Sequence, residues 1–403
     1  MRIKSPSGIL SLDSILPEEP LLMMGAGPVP VPARVAAANG IVINHLGDTM
    51  AQIIEQVKLM SRYVFQTDTG HILGVAGPGS AAMEMAAANL VAPGSKVLSI
   101  CNGFFSSRLA EMSDRLGADV VRLTVEEGHS ADPEVVSRYI AEHQPQVLTI
   151  VQGETSSTVC NSELASIAAA AKAHDCLVIV DAVCTLSTMP FDMDEWGIDA
   201  VITGGQKGLS CIPGVSLIGF SSKAWEHIQT RSDQLRHWCL DAKLADQFWY
   251  KKSYHYTAPV SGILAIHEAL RLVCTETLKV RFDRHLRSSQ ALQAGIEAMG
   301  LTLYVKPEAR LNSVVGIKLP DGIAGKQLLS AMSRRYKVEI SGSFGANIVR
   351  IGQMGEQCRT HHLFRTLHAF GASFNLLGQK LDLPAGMAAL ESALDKGGFV
   401  DEI

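Results

Sequence analysis

Three short stretches of this chain hold residue types that could share one chemistry. Gly77-Pro78-Gly79-Ser80 is a glycine-rich turn opening into a helix-like run, SAAMEMAAANLV (80–91). Backbone N–H groups at such a turn, aligned with the helix dipole, attract anions. The spacing also satisfies a dinucleotide fingerprint through Ala82, but the acid needed about 20 residues on is missing, because residues 97–103 read VLSICNG. Taken alone, the turn fits a plain loop, a dinucleotide site or a phosphate cradle for another cofactor. Asp181 ends the most apolar run, CLVIVD, where open α/β sheets place ligands. A helix cap or a solvated acid would look the same. Lys207 follows Gly204-Gly205-Gln206, without Walker spacing. It could bind phosphate, stay solvated or form a Schiff base. In combination, the three supply what pyridoxal 5'-phosphate (PLP) requires: phosphate donors, an acid to keep a ring nitrogen protonated, and an amine for the aldehyde.

Two further features stand beside this set. Arg350 lies in an apolar strand-like run, NIVRIG. A buried guanidinium needs a partner, here an internal carboxylate or the carboxylate of a substrate. Tyr254-His255-Tyr256-Thr257 is a polar aromatic cluster that also fits a surface loop. His45, in NHLGD, has no spaced partner and reads as structural.

The elements that must position these residues follow from periodicity. Helix-spaced apolar residues occupy 50–65, 80–91, 106–116, 132–143 and 162–174. Between them lie SKVLSI, ADVVRLTV, QVLTIV, CLVIVDAV, DAVIT and VSLIGF. These strand-like runs are continuously apolar, as in strands covered on both faces. After about residue 275 the texture changes to a long helix (278–299), helices near 325–335 and 360–376, and strand-like LTLYV, SVVGIKL and NIVRIG. The expectation is an α/β chain: an N-terminal arm (1–20), a large cofactor domain (21–275) with a mostly parallel, seven-stranded-type sheet, and a smaller α+β domain (276–403).

Composition excludes several classes. The 403 residues are 47% hydrophobic and 19% charged, which rules out disorder. A net charge of −5 without basic runs argues against nucleic acid and anionic membranes as partners. The eight Cys (101, 160, 176, 184, 211, 239, 274, 358) form no CxxC pair. They fit reduced thiols in a cytoplasmic protein, and no metal site is expected. The N-terminus lacks the apolar core of a signal peptide, and no transmembrane helix is expected. The apolar excess suggests surface buried in an oligomer.

In order along the chain, GAGPVPVP (25–32), RYVFQT (62–67), GETSST (153–158), VDAVCTL, GGQKGLSCIPG, YHYTAPV (254–260) and VRIGQMG (349–355) resemble the motifs of class V aminotransferases of PLP fold type I. The similarity is strongest to the alanine/serine–glyoxylate group and runs through most of the chain. It implies that Lys207 forms a Schiff base with the cofactor and relays the proton, and that Asp181 pairs with the ring nitrogen. Val183 packs on one face of the ring and Phe105 on the other. Gly79, Ser80 and Gln206 bind phosphate, Thr155 lies near the ring oxygen, and Arg350 holds the substrate carboxylate. Tyr254 and Thr257 reach the phosphate of a neighbouring subunit, which implies a homodimer with shared sites, or a tetramer built from it.

The implied activity is ping-pong transfer of an amino group from an amino acid or amine to a small 2-oxo acid, glyoxylate or pyruvate. Features of pyridoxamine–pyruvate transaminase (RIGQMG and the helix after it) and of ureidoglycine–glyoxylate enzymes (VQGETSST) are present as well. A class V lyase or desulfurase would need a mobile Cys, for which Cys358 is the candidate. The chain departs from the family pattern at Ser80 (often His), Phe105 (usually Trp or Tyr), Thr158 (Gly) and Ser187-Thr188 (Gly-Gly).

Overall fold

A computed structural model of the chain describes residues 7–396. The ends of the expected arm and C-terminal domain, residues 1–6 and 397–403, lie outside them. The remaining arm is exposed, with one helical turn at Leu12–Ile15.

The large sheet has seven strands: β1 (His71–Ala76), β2 (Lys96–Cys101), β3 (Asp119–Thr124), β4 (Val147–Val151), β5 (Leu177–Asp181), β6 (Ala200–Ile202) and β7 (Val215–Phe220). Their spatial order is β1-β7-β6-β5-β4-β2-β3. Only β7 runs against the others. Every residue of β4 through β7 is buried, which is why these strands read as unbroken apolar runs. The pattern missed β1, whose signal is weakened by Gly74 in its middle.

Helices cover both faces. In α1 (Asp48–Phe65), Met50, Ile54, Val57, Ser61 and Val64 form the buried stripe. Helix α2 (Gly79–Leu90) is alanine-rich and buried along most of its length, so it packs close under the sheet. Helix α3 (Phe104–Arg115) follows β2. The long helices α4 (Val260–Glu276) and α5 (Leu278–Ala298) lead into the C-terminal region.

There, β8 (Val314–Lys318), β9 (Ser341–Gly342) and β10 (Ile348–Gly352) form an antiparallel sheet in the order β8-β10-β9, backed by α6 (Thr360–Leu376). LTLYV, expected as a strand, joins only through one bridge, Leu303–Ile317, before Pro307 turns the chain. A final helix, Leu383–Asp395, packs on α5 and was not expected. Leu22–Met23 pairs in parallel with Val338–Glu339, so the start of the 21–275 stretch is hydrogen-bonded to the C-terminal region.

A small apolar cluster that includes Ala26, Val29, Cys184, Leu311 and Met354 lies between the main core and the C-terminal core. The site residues surround this seam.

Candidate active site

All strands of the large sheet except β7 end at one edge. Register places Val151, Asp181 and Ile202 side by side on β4, β5 and β6. The loops leaving these strands carry Thr155, Val183 and Lys207, and the turn after β1 carries Gly79 and Ser80. The sheet therefore gathers residues far apart in sequence, at the edge where such sheets bind ligands.

Asp181 is buried, and its Oδ1 accepts from the Val183 amide at 2.8 Å. Among the described residues it makes no ion pair. Burial pushes its carboxyl up to about 7, with Glu154 adding to the rise and Lys207 and Arg108 opposing it. Lys207 donates to the Ala26 carbonyl. A side chain on Gly27 (φ +94°) would lie 2.7 Å from Lys207 Nζ, so glycine clears the path of the amine. Burial lowers the Lys207 pKa, and the nearby Arg350 guanidinium lowers it further.

Arg350, in the middle of β10, is buried. Its Nε and Nη2 donate to the Gly342 carbonyl at 2.8 and 2.5 Å, and its Nη1 donates to the Thr155 carbonyl at 2.7 Å. No carboxylate touches it among the described residues, so the internal-carboxylate reading of this arginine fails. Burial draws the guanidinium down to about 10, against the pull of Glu154. Three of its five N–H donors are engaged, which leaves two for a substrate carboxylate.

Phe105 belongs to an aromatic cluster with Phe104 and Phe344, at centroid distances of 5.5 and 6.3 Å, and Arg350 lies 5.4 Å from the Phe344 ring. Sequence reasoning missed Phe344. It also missed Glu154, whose Oε2 accepts from the Ser106 amide at 2.8 Å and whose Oε1 accepts from the Phe105 and Ser156 amides. This carboxylate caps the positive end of α3 and fixes the Phe105 backbone. Arg108 is a third omission, with Nη1 donating to Ser80 Oγ at 3.0 Å. Its signal was available, because helical i, i+3 spacing puts it beside Phe105.

Tyr254 and Thr257 are exposed, and nothing in this chain brings them to Lys207; Tyr254 stands edge-on to His45 at 6.0 Å. Cys358 ends a short 3-10 helix, Gly355–Cys358, fully enclosed, with Sγ donating to the Gln353 carbonyl at 3.0 Å. Burial raises its thiol pKa, so it has the opposite of the properties a mobile nucleophile needs.

The loop after Lys207 is locked to the turn after Arg350. Arg281 on α5 donates to the Gly208 carbonyl at 2.5 Å, and Arg284 donates to the Gly355 carbonyl at 2.8 Å. Both guanidiniums share Glu276. Burial alone would raise Glu276, but Arg284 and Arg281 hold it down to about 2. Two of the sequence departures fall at left-handed backbone, Thr158 (φ 57°) and Ser187 (φ 68°), where glycine is the unstrained choice.

Three observations test whether these residues fit PLP. The enclosed Asp181 carboxyl lacks a cation, which a protonated ring nitrogen would supply. Gln206 Oε1 is buried without a hydrogen-bond partner; turned over, that amide would offer N–H to a phosphate. A side chain on Gly79 would meet Val183 at 2.8 Å, so glycine is what lets this turn close up beside Val183. The residues fit the cofactor.

Comparison with known proteins agrees. The family model described as "Aminotransferase class-V" matches residues 34–365. Alanine–glyoxylate aminotransferase of Oryctolagus cuniculus is 34% identical over 343 residues, covering 83% of this chain and 87% of that protein. The crystal structure of ureidoglycine–glyoxylate aminotransferase from Bacillus subtilis superposes with a TM-score of 0.91 at 30% identity, over 94% of this chain and 99% of that one. Pyridoxamine–pyruvate aminotransferase from Mesorhizobium loti gives a TM-score of 0.90 at 26% identity, with the same coverage. The chain belongs to the class V aminotransferases and is a PLP-dependent transaminase of fold type I.

Proposed function

We propose that this transaminase moves the amino group of an amino acid or amine to glyoxylate or pyruvate in a ping-pong cycle anchored by Arg350. The observation that carries this reading is the buried Arg350 guanidinium, held by the Gly342 and Thr155 carbonyls with two N–H groups to spare and no carboxylate in contact. Its place near Lys207 puts a bound carboxylate within reach of the amine, as an α-amino or 2-oxo acid requires.

PLP, when bound, supplies an aldehyde for amines and a ring that withdraws electrons from the substrate Cα. The chain's residues do the rest. Asp181 would keep the ring nitrogen protonated. Val183 and Phe105 would flank the ring, and Gly79, Ser80 and Gln206 would hold the phosphate. Thr155 would lie near the ring oxygen. Lys207, whose pKa is lowered by burial and by Arg350, would anchor the cofactor and, freed by the donor amine, would be the base that moves the Cα proton. Arg350 would fix the substrate carboxylate near that base.

The site is completed in a homodimer. Tyr254 and Thr257, both exposed, would reach the partner's phosphate. Exposed Ile41, Val42 and Leu46 next to His45, and exposed Ile9, Leu10 and Leu12 in the arm, support such a surface. Eight cysteines, all unpaired, suit a reducing cytoplasm. Among the described residues no helix is long and apolar enough to cross a membrane.

The test is a panel of amines and 2-oxo acids, read by the cofactor spectrum and by product formation. Lys207→Ala is expected to lose the spectrum of lysine-bound cofactor and nearly all turnover; a fully active Lys207→Ala enzyme would sink the assignment. The likeness to pyridoxamine–pyruvate aminotransferase favours a second reading, in which the free vitamer is the donor. Turnover of pyridoxamine by cofactor-free protein would select it.

A further inference from the structure

The residues assigned to the cofactor phosphate, Gly79, Ser80 and Gln206, offer hydrogen bonds but no positive charge. Tyr254 and Thr257 would add none. A phosphate monoester carries about −1.5 to −2 charges near neutral pH, and enclosing it without a counter-charge is costly. Lys207 is committed to the aldehyde carbon. The charge must come from elsewhere.

Among the described residues, Arg108 is a cation that stands at this turn. Arg108 lies on α3, and its Nη1 donates to Ser80 Oγ at 3.0 Å. The guanidinium sits over the Phe104 and Phe105 rings, 4.9 and 5.1 Å from their centroids. Those rings hold it towards the first turn of α2. Among the described residues it makes no ion pair with an Asp or Glu, so its charge is uncommitted. Ser80 accepts from Arg108 and thereby keeps its own O–H to donate.

We propose that Arg108 binds the cofactor phosphate and supplies its counter-charge, acting with Ser80 and the N-terminus of α2. The site thereby selects phosphorylated over unphosphorylated vitamer. This rests on the reading of Gly79-Ser80 as the phosphate cradle. Arg108 takes no part in the proton transfer, so its effect belongs to binding and not to the chemical step.

The experiment is an equilibrium titration of the full-length chain, stripped of cofactor, with PLP and separately with pyridoxal. Absorbance and tryptophan fluorescence follow binding. Arg108→Gln is expected to weaken PLP on the order of tenfold to a hundredfold, the range for a charge-assisted hydrogen bond, while pyridoxal affinity stays within about threefold of wild type. Arg108→Lys keeps the charge and is expected to recover part of the PLP affinity, even if both variants lose equal thermal stability. Equal losses for both ligands would make Arg108 a support for the Phe104 and Phe105 rings and overturn the proposal. Unchanged PLP affinity in Arg108→Gln would overturn it as well, with the cofactor reading intact. Wild-type protein that binds neither ligand would overturn both.

Discussion

Asp181→Asn separates the cost of a buried charge from its use. Among the described residues the Asp181 carboxyl makes no ion pair, and burial raises its pKa from 3.8 to about 7. Each pKa unit is worth about 1.4 kcal/mol, so the fully ionised group costs the fold on the order of 4 kcal/mol. In the folded chain the carboxyl keeps its proton, while the unfolded chain releases it above about 3.8. The contribution to stability is thus fully present below 3.8 and is lost as pH rises through about 7. Between about pH 5 and pH 8 the wild-type apo-protein should lose on the order of 3 kcal/mol relative to Asp181→Asn, which has no proton to release. Scanning calorimetry of both apo-proteins, at equal concentration and across this range, reads the difference as a Tm gap that opens with pH. Added PLP should close the gap, because the protonated ring nitrogen gives wild-type Asp181 the cation it lacks. Asp181→Asn should bind PLP more weakly and turn over very slowly. A Tm gap that stays flat with pH would refute the burial argument. A gap that opens but does not close with PLP would refute the pairing of Asp181 with the ring.

Four other outcomes are expected. Arg350→Gln removes three hydrogen bonds to carbonyls and the proposed substrate anchor, so kcat/KM for the 2-oxo acid should fall at least on the order of a hundredfold while the spectrum of bound cofactor persists; steady-state kinetics and absorbance measure both. Glu276→Gln strands two buried guanidiniums and should cost about 3–5 kcal/mol by denaturant unfolding. Because the Glu276 pKa is held down to about 2, the stability this group adds is present above about 4.5 and lost as pH falls towards 2. Thr158→Gly relieves left-handed backbone at φ 57° and removes a buried hydroxyl without a partner, so it should raise stability by about 1 kcal/mol, seen as a higher Tm. Mixing inactive Lys207→Ala with inactive Tyr254→Ala chains should restore activity in mixed dimers, each with one intact site; no recovery after subunit exchange would argue against shared sites.

The sequence by itself determined the chemistry available and the kind of scaffold. Unbroken apolar runs such as CLVIVD and VSLIGF read directly as strands covered on both faces, because strand burial leaves a local mark. Gly79, Asp181 and Lys207 were legible because each sits next to its own strand or helix end, and the turn, the acid and the amine point to one cofactor only as a set. What the side chains do there was decided by the tertiary structure. The three donors of Arg350 go to carbonyls at positions 342 and 155 and leave the remaining two for a ligand. The raised pKa of Asp181 and the lowered pKa of Lys207 come from enclosure, which no local pattern reports. The link from Glu276 through Arg281 and Arg284 to the loops beside Lys207 and Arg350 joins residues 71 (Arg284–Gly355) and 73 (Arg281–Gly208) positions apart. Helical spacing sets Arg108 beside Phe105, but only the fold brings it to Ser80, 28 positions away. Residue types and local periods are written along the chain, whereas burial and electrostatics depend on whichever distant segments the fold brings into contact.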